Sequence, residues 1–295
     1  MTSPPTKARS AAAVVRGRVA DALPLLPFFA IVGIFLIVPT VTVVVSAVTA
    51  DGRFSTSRIA ALFSDTALTA LGRSVFLSGS TALLGAVFGA LLAWLIVTRP
   101  ASSTIRRLVL SLCSVLAQFG GVALAFAFLA TLGLNGVLTL WVQQHLGWNL
   151  AGSGWLYDLP GLVLVYTYFQ IPLMVIVFLP ALEGLRAQWR EAAVSLGAST
   201  WQYWRAVAVP LLTPAFLGAL LLLFANAFAA YATAAALVSQ GSPILPLLIR
   251  AALTSEVVLG QSGFAYALAL EMIVVVALVM GAYGLLVRRT SRWLR

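Results

Sequence analysis

The sequence predicts an all-α integral membrane protein with six transmembrane helices. Three observations predict it. Apolar residues make up 61% of the chain and charged residues 9%, whereas a soluble domain is about half apolar and about a quarter charged. Six stretches reach the roughly 20 mostly apolar residues that a helix needs to cross a bilayer. The basic residues fall into alternate connections between these stretches. With so little charge, a chain of 295 residues cannot cover a water-facing surface, which argues against a soluble enzyme, a disordered protein and a secreted disulfide scaffold.

The spans are expected at about Leu23–Val48, Ser74–Val97, Leu108–Leu132, Leu159–Leu182, Leu211–Val238 and Phe264–Val287. A bilayer core satisfies no backbone hydrogen bonds, so each must be helical. The alternation of a β-barrel is absent. The first stretch reads as a retained helix. Val48-Thr49-Ala50 passes as a weak signal-peptide cleavage site, but the apolar run of about 26 residues contains Pro39, and a signal h-region runs about 7–15.

The second span carries small residues at four-residue spacing: Ala82, Ala86 and Ala90 on one stripe, Gly85, Gly89 and Ala93 on the next. The fifth has Ala225 with Ala229, and Ala232 with Ala236. Small residues let helix backbones approach where no hydrophobic effect drives association, so these stripes predict a tight bundle. Polar residues within spans are costly in lipid. They are Tyr166, Tyr168 and Gln170, followed by Pro172, in the fourth span. Asn226, Tyr231 and Thr233 lie in the fifth, and Glu271 in the sixth. Such residues either bond between helices or line a water-filled path. The candidate path residues are Tyr168, Gln170, Asn226, Tyr231 and Glu271. Glu271 avoids its cost by protonation, by pairing with Arg73 or Arg250, or by facing the path, where it would favour a cationic solute.

Orientation follows from Lys and Arg, which accumulate on the cytoplasmic side. Lys7, Arg9, Arg16 and Arg18 lie before the first span; Arg99, Arg106 and Arg107 between the second and third; Arg186, Arg190 and Arg205 between the fourth and fifth; Arg288, Arg289, Arg292 and Arg295 after the sixth. These fourteen share one side, and Arg53, Arg58, Arg73 and Arg250 share the other. Both termini are therefore expected in the cytoplasm, with basic tails at residues 1–22 and 288–295 around a transmembrane domain at 23–287. This distribution accounts for the net charge of +10 without nucleic acid as a partner.

The rare residues exclude chemistry. Lys7 is the single lysine, and a P-loop needs a Lys directly after its glycine-rich turn, so the chain carries no ATP site of that kind. Cys113 is the single cysteine and His145 the single histidine. Neither an internal disulfide nor a His/Cys zinc cluster within the chain is expected. Cys113 reads as a small packing residue, and His145, in the Trp-rich segment Trp141 to Trp155, reads as interfacial. No catalytic residue and no metal ligand is assigned.

The connection starting at Glu183 is the longest and least apolar on the basic side. Ala187 to Leu196 reads as a short helix, broken where Gly197 can turn left-handed. Ser199 or Thr200 is placed to cap a second short helix running to Ala208. Pro210 and Pro214 then suit the first turn of the fifth span. The expected product is a helix–turn–helix on the membrane surface. From its residues alone, an interfacial loop and a docking element remain equally open.

The spacing in this segment resembles a known signature. Glu191-Ala192-Ala193, three residues, Gly197, nine residues, then Val207-Ala208-Val209-Pro210 is similar to the EAA loop of binding-protein-dependent ATP-binding cassette (ABC) importer permeases. Val207 and Val209 stand where the family pattern has Ile and Leu. The resemblance runs from about Leu71 to Val287 and includes Arg73-Ser74, Gly133-Leu134-Asn135-Gly136 and Gln170-Ile171-Pro172-Leu173-Met174. Within the family it is nearest to permeases for polyamines, ferric iron, thiamine or phosphonates.

The resemblance implies a MetI-like type I importer bundle and a non-catalytic membrane subunit that binds no cofactor. ATP and Mg would be held by two separate ATP-binding cassette subunits. The segment at about 187–210 would be the coupling element, with Glu191, Ala192, Ala193, Gly197 and Pro210 at the ATPase contact. A second permease subunit, a copy or a paralogue, would complete the translocation unit in the cell membrane, and an extracytoplasmic solute-binding protein would deliver the solute. The outer connections, aromatic-rich Gly133–Asp158 and Ser239–Gly263 with a short helix at Ile244–Leu253, suit either membrane anchoring or that delivery contact. A secondary transporter or channel is the alternative, and would leave the signature loop unexplained. A membrane-embedded enzyme has no catalytic pair in the spans.

Overall fold

The computed structural model describes residues 26–50, 53–54, 57–100, 102–150, 152, 154–238, 244–254 and 262–291. The basic tail at 1–22 and the end of the other tail lie outside them. The described chain is helical apart from a two-stranded hairpin, β1 Thr49–Ala50 with β2 Arg53–Phe54, in which Thr49 pairs with Phe54 and Ala50 with Arg53. The helices are α1 Leu26–Val48, α2 Ser57–Ala60, α3 Asp65–Val97, α4 Thr104–Gln118, α5 Gly121–Leu132, α6 Val137–Leu146, α7 Leu159–Glu183, α8 Ala187–Ser195, α9 Thr200–Ala229, α10 Ala232–Leu237, α11 Leu245–Thr254 and α12 Ser262–Ser291. Six stretches are long and apolar enough to cross a membrane: α1, α3, Gly121–Leu146, α7, α9 and Gly263–Leu286.

The core is a trio of helices, α3, α7 and α9. Along α3 the small-residue stripes face inward: Ala82, Gly85, Ala86, Gly89 and Ala93 are all buried. A β-carbon at Gly85 would lie 2.5 Å from Gln170 Cβ, and one at Gly89 would lie 2.5 Å from Met174 Cβ. The α3–α7 contact is thus as close as backbones allow. The stripes of the fifth span do not behave this way. Ala225, Ala229, Ala232 and Ala236 are all exposed or half-buried, and Ala227, Phe228, Thr233 and Ala234 face inward instead. Four-residue spacing identifies a face without saying whether this chain's own helices cover it.

Polar side chains join the trio to its neighbours. Gln170 Nε2 donates to the Leu223 carbonyl at 2.7 Å. Ser74 Oγ accepts from the Leu245 amide at 2.7 Å, fixing α11 across α3. Tyr166 donates to the Ala230 carbonyl at 2.7 Å. Such bonds are worth about 0.6–2 kcal/mol each in a membrane. The outward surface is apolar, with Phe35 75%, Val115 64% and Leu278 68% exposed. That suits a lipid environment, where apolar side chains need no cover.

Three span boundaries differ from expectation, each for a physical reason. The second helix starts at Asp65 rather than Ser74, because Ser64 caps it by accepting from Ala67 N. Its first turns are too polar to register as a span. The third span is not one helix. It breaks at Phe119–Gly120, where Gly121 has φ +70°, a conformation costly for any residue with a β-carbon. α4 packs along one half of α7 and α5 reaches its other half. The fifth begins at Thr200, absorbing the expected second short helix, so that Pro210 and Pro214 lie inside it rather than in its first turn, and it stops at Ala229, where Ala230 turns extended.

Two wide π-turns share one cause. Gly33–Ile37 precedes Val38-Pro39, and Trp204–Ala208 precedes Val209-Pro210. A proline ring clashes with the carbonyl four residues back and donates no bond to it. A widened turn just upstream relieves that clash without ending the helix.

Candidate coupling segment and translocation cavity

α8 projects from the bundle with no buried residue. Its end closes as a Schellman motif: Ala198 N donates to Ala193 O and Gly197 N to Val194 O, both at 2.9 Å. Gly197, at φ +79°, supplies the left-handed residue this motif requires. Ser199 caps the next helix through a capping box: its Oγ accepts from Gln202 N at 3.3 Å, and Gln202 Oε1 accepts from Ser199 N at 2.7 Å. Two closures satisfy the orphan backbone groups within three residues of chain, so the angle between α8 and α9 is well determined.

Around this turn, Glu191 and Ala192 are exposed and Ala193 half-buried. Leu196 is 88% and Trp201 72% exposed. The segment is anchored by buried Tyr203 and Ala208 and by Trp204, which meets Trp94 of α3 edge-on at 6.4 Å. Pro210 lies in the first turn after the π-turn. Just before α8, Glu183 forms an ion pair with Arg106 of α4.

The path candidates divide. Asn226 and Tyr231 line a cavity of about 280 Å³, together with Ala117, Gly120, Gly121, Phe169 and Thr233. It forms where two helix breaks face each other, α4–α5 and α9–α10. Irregular backbone at membrane depth is tolerated where it is buried in protein or lines a water-filled space. Tyr168, Gln170 and Glu271 do not line it. Tyr168 packs edge-on against Phe128 at 5.8 Å. Gln170 is fully buried between α3, α7 and α9, with Oε1 unbonded. Glu271 is half-buried on α12, with Oε2 enclosed and unbonded. It forms no ion pair with Arg73 or Arg250; Arg250 instead lies over the Tyr231 ring at 5.9 Å.

Gly120, Gly121 and Phe169 were absent from the sequence candidates. The Gly-Gly doublet inside an apolar run was the available signal for a break. Among the described residues, no three His, Cys, Asp or Glu side chains gather to hold a metal.

Comparison with known proteins places this architecture. The sequence profile described as "Binding-protein-dependent transport system inner membrane component" matches residues 85–292. The chain is 37% identical over 124 residues to the sulfate transport system permease protein CysW of Escherichia coli (strain K12), covering 42% of this chain and 40% of that protein. It is 29% identical over 129 residues to the thiamine transport system permease protein ThiP of Salmonella typhimurium, covering 43% and 23%. To the ferric transport system permease protein FbpB of Actinobacillus pleuropneumoniae it is 24% identical over 208 residues, covering 70% and 29%. The aligned regions thus span 40% or less of these three relatives.

In fold it is similar to a chain of a bacterial alginate ABC transporter solved with its alginate pentasaccharide-bound periplasmic protein. The TM-score is 0.76 at 19% identity, covering 96% of this chain and 98% of that one. A chain of the MetNI methionine ABC transporter, in an inward-facing conformation, matches with TM-score 0.53 at 17% identity, covering 77% and 99%. With the profile match extending over residues 85–292, the chain belongs to the family of binding-protein-dependent transport system inner membrane components.

Proposed function

We propose that this chain is the permease subunit of a binding-protein-dependent ABC importer, moving a small solute by alternating access. Two partner subunits bind and hydrolyse ATP with Mg. A second permease and an extracytoplasmic solute-binding protein complete the complex, and both termini face the cytoplasm. The chain itself holds no cofactor. The observation that carries this reading is α8: a short helix with no buried residue, held at a fixed angle by the Gly197 and Ser199 closures. The exposed apolar residues Val194, on α8, and Leu196, at its C-cap, have no cover among the described residues. A groove on an ATPase subunit supplies that cover. Glu191, Ala192, Ala193 and Gly197 then form the contact, and Pro210, within α9, sets the π-turn that joins the segment to the bundle. Asn226 and Tyr231 line the path, while Gln170 serves interhelical packing.

The test uses the full complex. Forcing a β-branched residue into a left-handed turn costs on the order of 1–2 kcal/mol, and nothing lies within 4 Å of a β-carbon at Gly197, so the effect is on the turn alone. Gly197→Val is expected to stay inserted and lose ATP-driven uptake. Glu191→Lys is expected to weaken ATPase-subunit copurification about tenfold, equivalent to about 1.4 kcal/mol. Normal uptake and normal copurification in both variants would remove the coupling role.

A further inference from the structure

We infer that the cavity between the two helix breaks is a binding site for a small oxyanion, so that the cargo of this permease is anionic. This rests on the importer reading above. The first observation is the start of α5. Gly120 occupies its N-cap position and offers no side-chain acceptor, so the amides of the first turn have no intrahelical or capping partner. α5 is 12 residues long, and a helix of that length presents partial positive charge at this end. Gly120 and Gly121 both line the cavity.

The second observation is independent. Thr233 lines the same cavity, is 2% exposed, and makes no hydrogen bond. Elsewhere the helical threonines Thr40, Thr81, Thr131, Thr167 and Thr213 donate to the carbonyl four residues back, although Thr139 does not. For Thr233 that carbonyl is Ala229, across the break that separates α9 from α10. The residue is buried, but its hydroxyl is not among the enclosed unbonded atoms; it opens onto the cavity, unpartnered and placed to donate to a ligand. A bound acceptor meets that donor with a neutral hydrogen bond.

The third observation is charge. None of the described Asp and Glu residues, Asp65, Asp158, Glu183, Glu191 and Glu271, lines the cavity. Arg250 stands over the ring of Tyr231, a lining residue, and forms no ion pair among the described residues. Asn226 adds an amide donor on the exposed side. The lining therefore offers neutral donors, the N-terminus of α5 and one adjacent cation, beside the C-terminal ends of α4 and α9. That set solvates an anion's oxygens and, among the described residues, holds no carboxylate to balance the full charge of an ammonium or a metal ion.

The experiment uses the full chain in phosphatidylcholine nanodiscs, together with any ATPase subunits that copurify. Labelled sulfate and labelled phosphate are the probes, methylphosphonate and acetate the competitors, and labelled putrescine the cationic control. Saturable binding of at least one labelled anion is expected, displaced by a competitor, with none for putrescine. Thr233→Val, nearly isosteric, should weaken it about fivefold, the worth of one neutral hydrogen bond. Arg250→Gln should weaken it about tenfold and Arg250→Lys much less, since a nearby charge is what matters. Ala229→Asp places a carboxylate on the lining and should abolish anion binding. Absence of saturable binding by both anions overturns the inference. So does putrescine binding that Ala229→Asp strengthens, or anion binding that neither Thr233→Val nor Ala229→Asp alters. The importer reading fails separately, through the Gly197→Val and Glu191→Lys outcomes, which need no knowledge of the cargo's charge.

Discussion

Glu271 sits half-buried on α12 with Oε2 enclosed and unbonded, and neither of its expected partners, Arg73 and Arg250, forms an ion pair with it. A carboxylate at the centre of a span costs about 2.5–3.5 kcal/mol on insertion scales, and nothing in the surrounding helices offsets it. Its neighbours on α12 are apolar: Leu268, Met272, Val275 and Val276 belong to one hydrophobic cluster. Glu271→Gln keeps the shape and removes the charge. It should fold at equal yield and melt at the same temperature or higher, with uptake within about twofold, under about 0.5 kcal/mol of barrier. A tenfold loss of uptake would put the carboxylate in the transport step. The sequence identified Glu271, Gln170 and Asn226 as costly polar residues in spans. It had no means of separating them, because depth along a helix says nothing about which way each residue faces. The structure separates them: Gln170 bonds across a helix contact, Asn226 faces a cavity, and Glu271 faces apolar side chains.

At the scale of elements, legibility followed the physics of each signal. The α8 turn was readable because Gly197 and Ser199 act locally, through backbone conformation and a cap three residues long. The α3 stripes were readable because their cover comes from α7 and α9 of the same chain. The breaks in the third and fifth spans were not read. Hydropathy averages over a window and passes straight through Phe119–Gly120 and Ala230. Nor was the continuity of α9 through Trp204–Ala208, since Pro210 ordinarily signals a helix start. The α3–α7 contact yields its own prediction. Gly89→Leu drives a side chain into Met174 Cβ at 2.5 Å and the Ile171 carbonyl at 2.6 Å. Overpacking of this kind costs about 1–3 kcal/mol or more. The variant should lower the melting temperature in detergent and the monodisperse yield. Gly79→Ala, on the same helix with nothing within 4 Å of the added carbon, should match the wild type. Equal melting of all three proteins would mean that α3 and α7 do not meet at Gly89.

Across the whole molecule, pairs of side chains fix which connections share a face. Arg106 and Glu183 form an ion pair, so the connection before α4 lies at the same end of the bundle as the connection after α7. Arg58 donates to the carbonyls of Ser46 and Thr49 and lies against Gly263. The hairpin after α1 therefore shares the opposite end with the start of α12. Tyr157 Oη accepts from Leu134 N at 3.3 Å, which folds the α5–α6 turn onto the start of α7. These contacts fit an even alternation of crossings. The arginines then decide which end is inside. Arg99, Arg106, Arg107, Arg186, Arg190 and Arg205 gather at the α8 end, against Arg53, Arg58, Arg73 and Arg250 at the other. By the bias of Lys and Arg toward the cytoplasm, the α8 end is expected to face the cytoplasm, the side that the proposed coupling role requires. Reporter fusions after Gly52, Ser103, Trp148, Gln188 and Ser255 should read outside, inside, outside, inside, outside. The Trp148 fusion is the most discriminating, because the third crossing is the broken one. An inside signal there would mean that α4, α5 and α6 return to the side they left. Six crossings would become five, and α8 could not share a face with both termini.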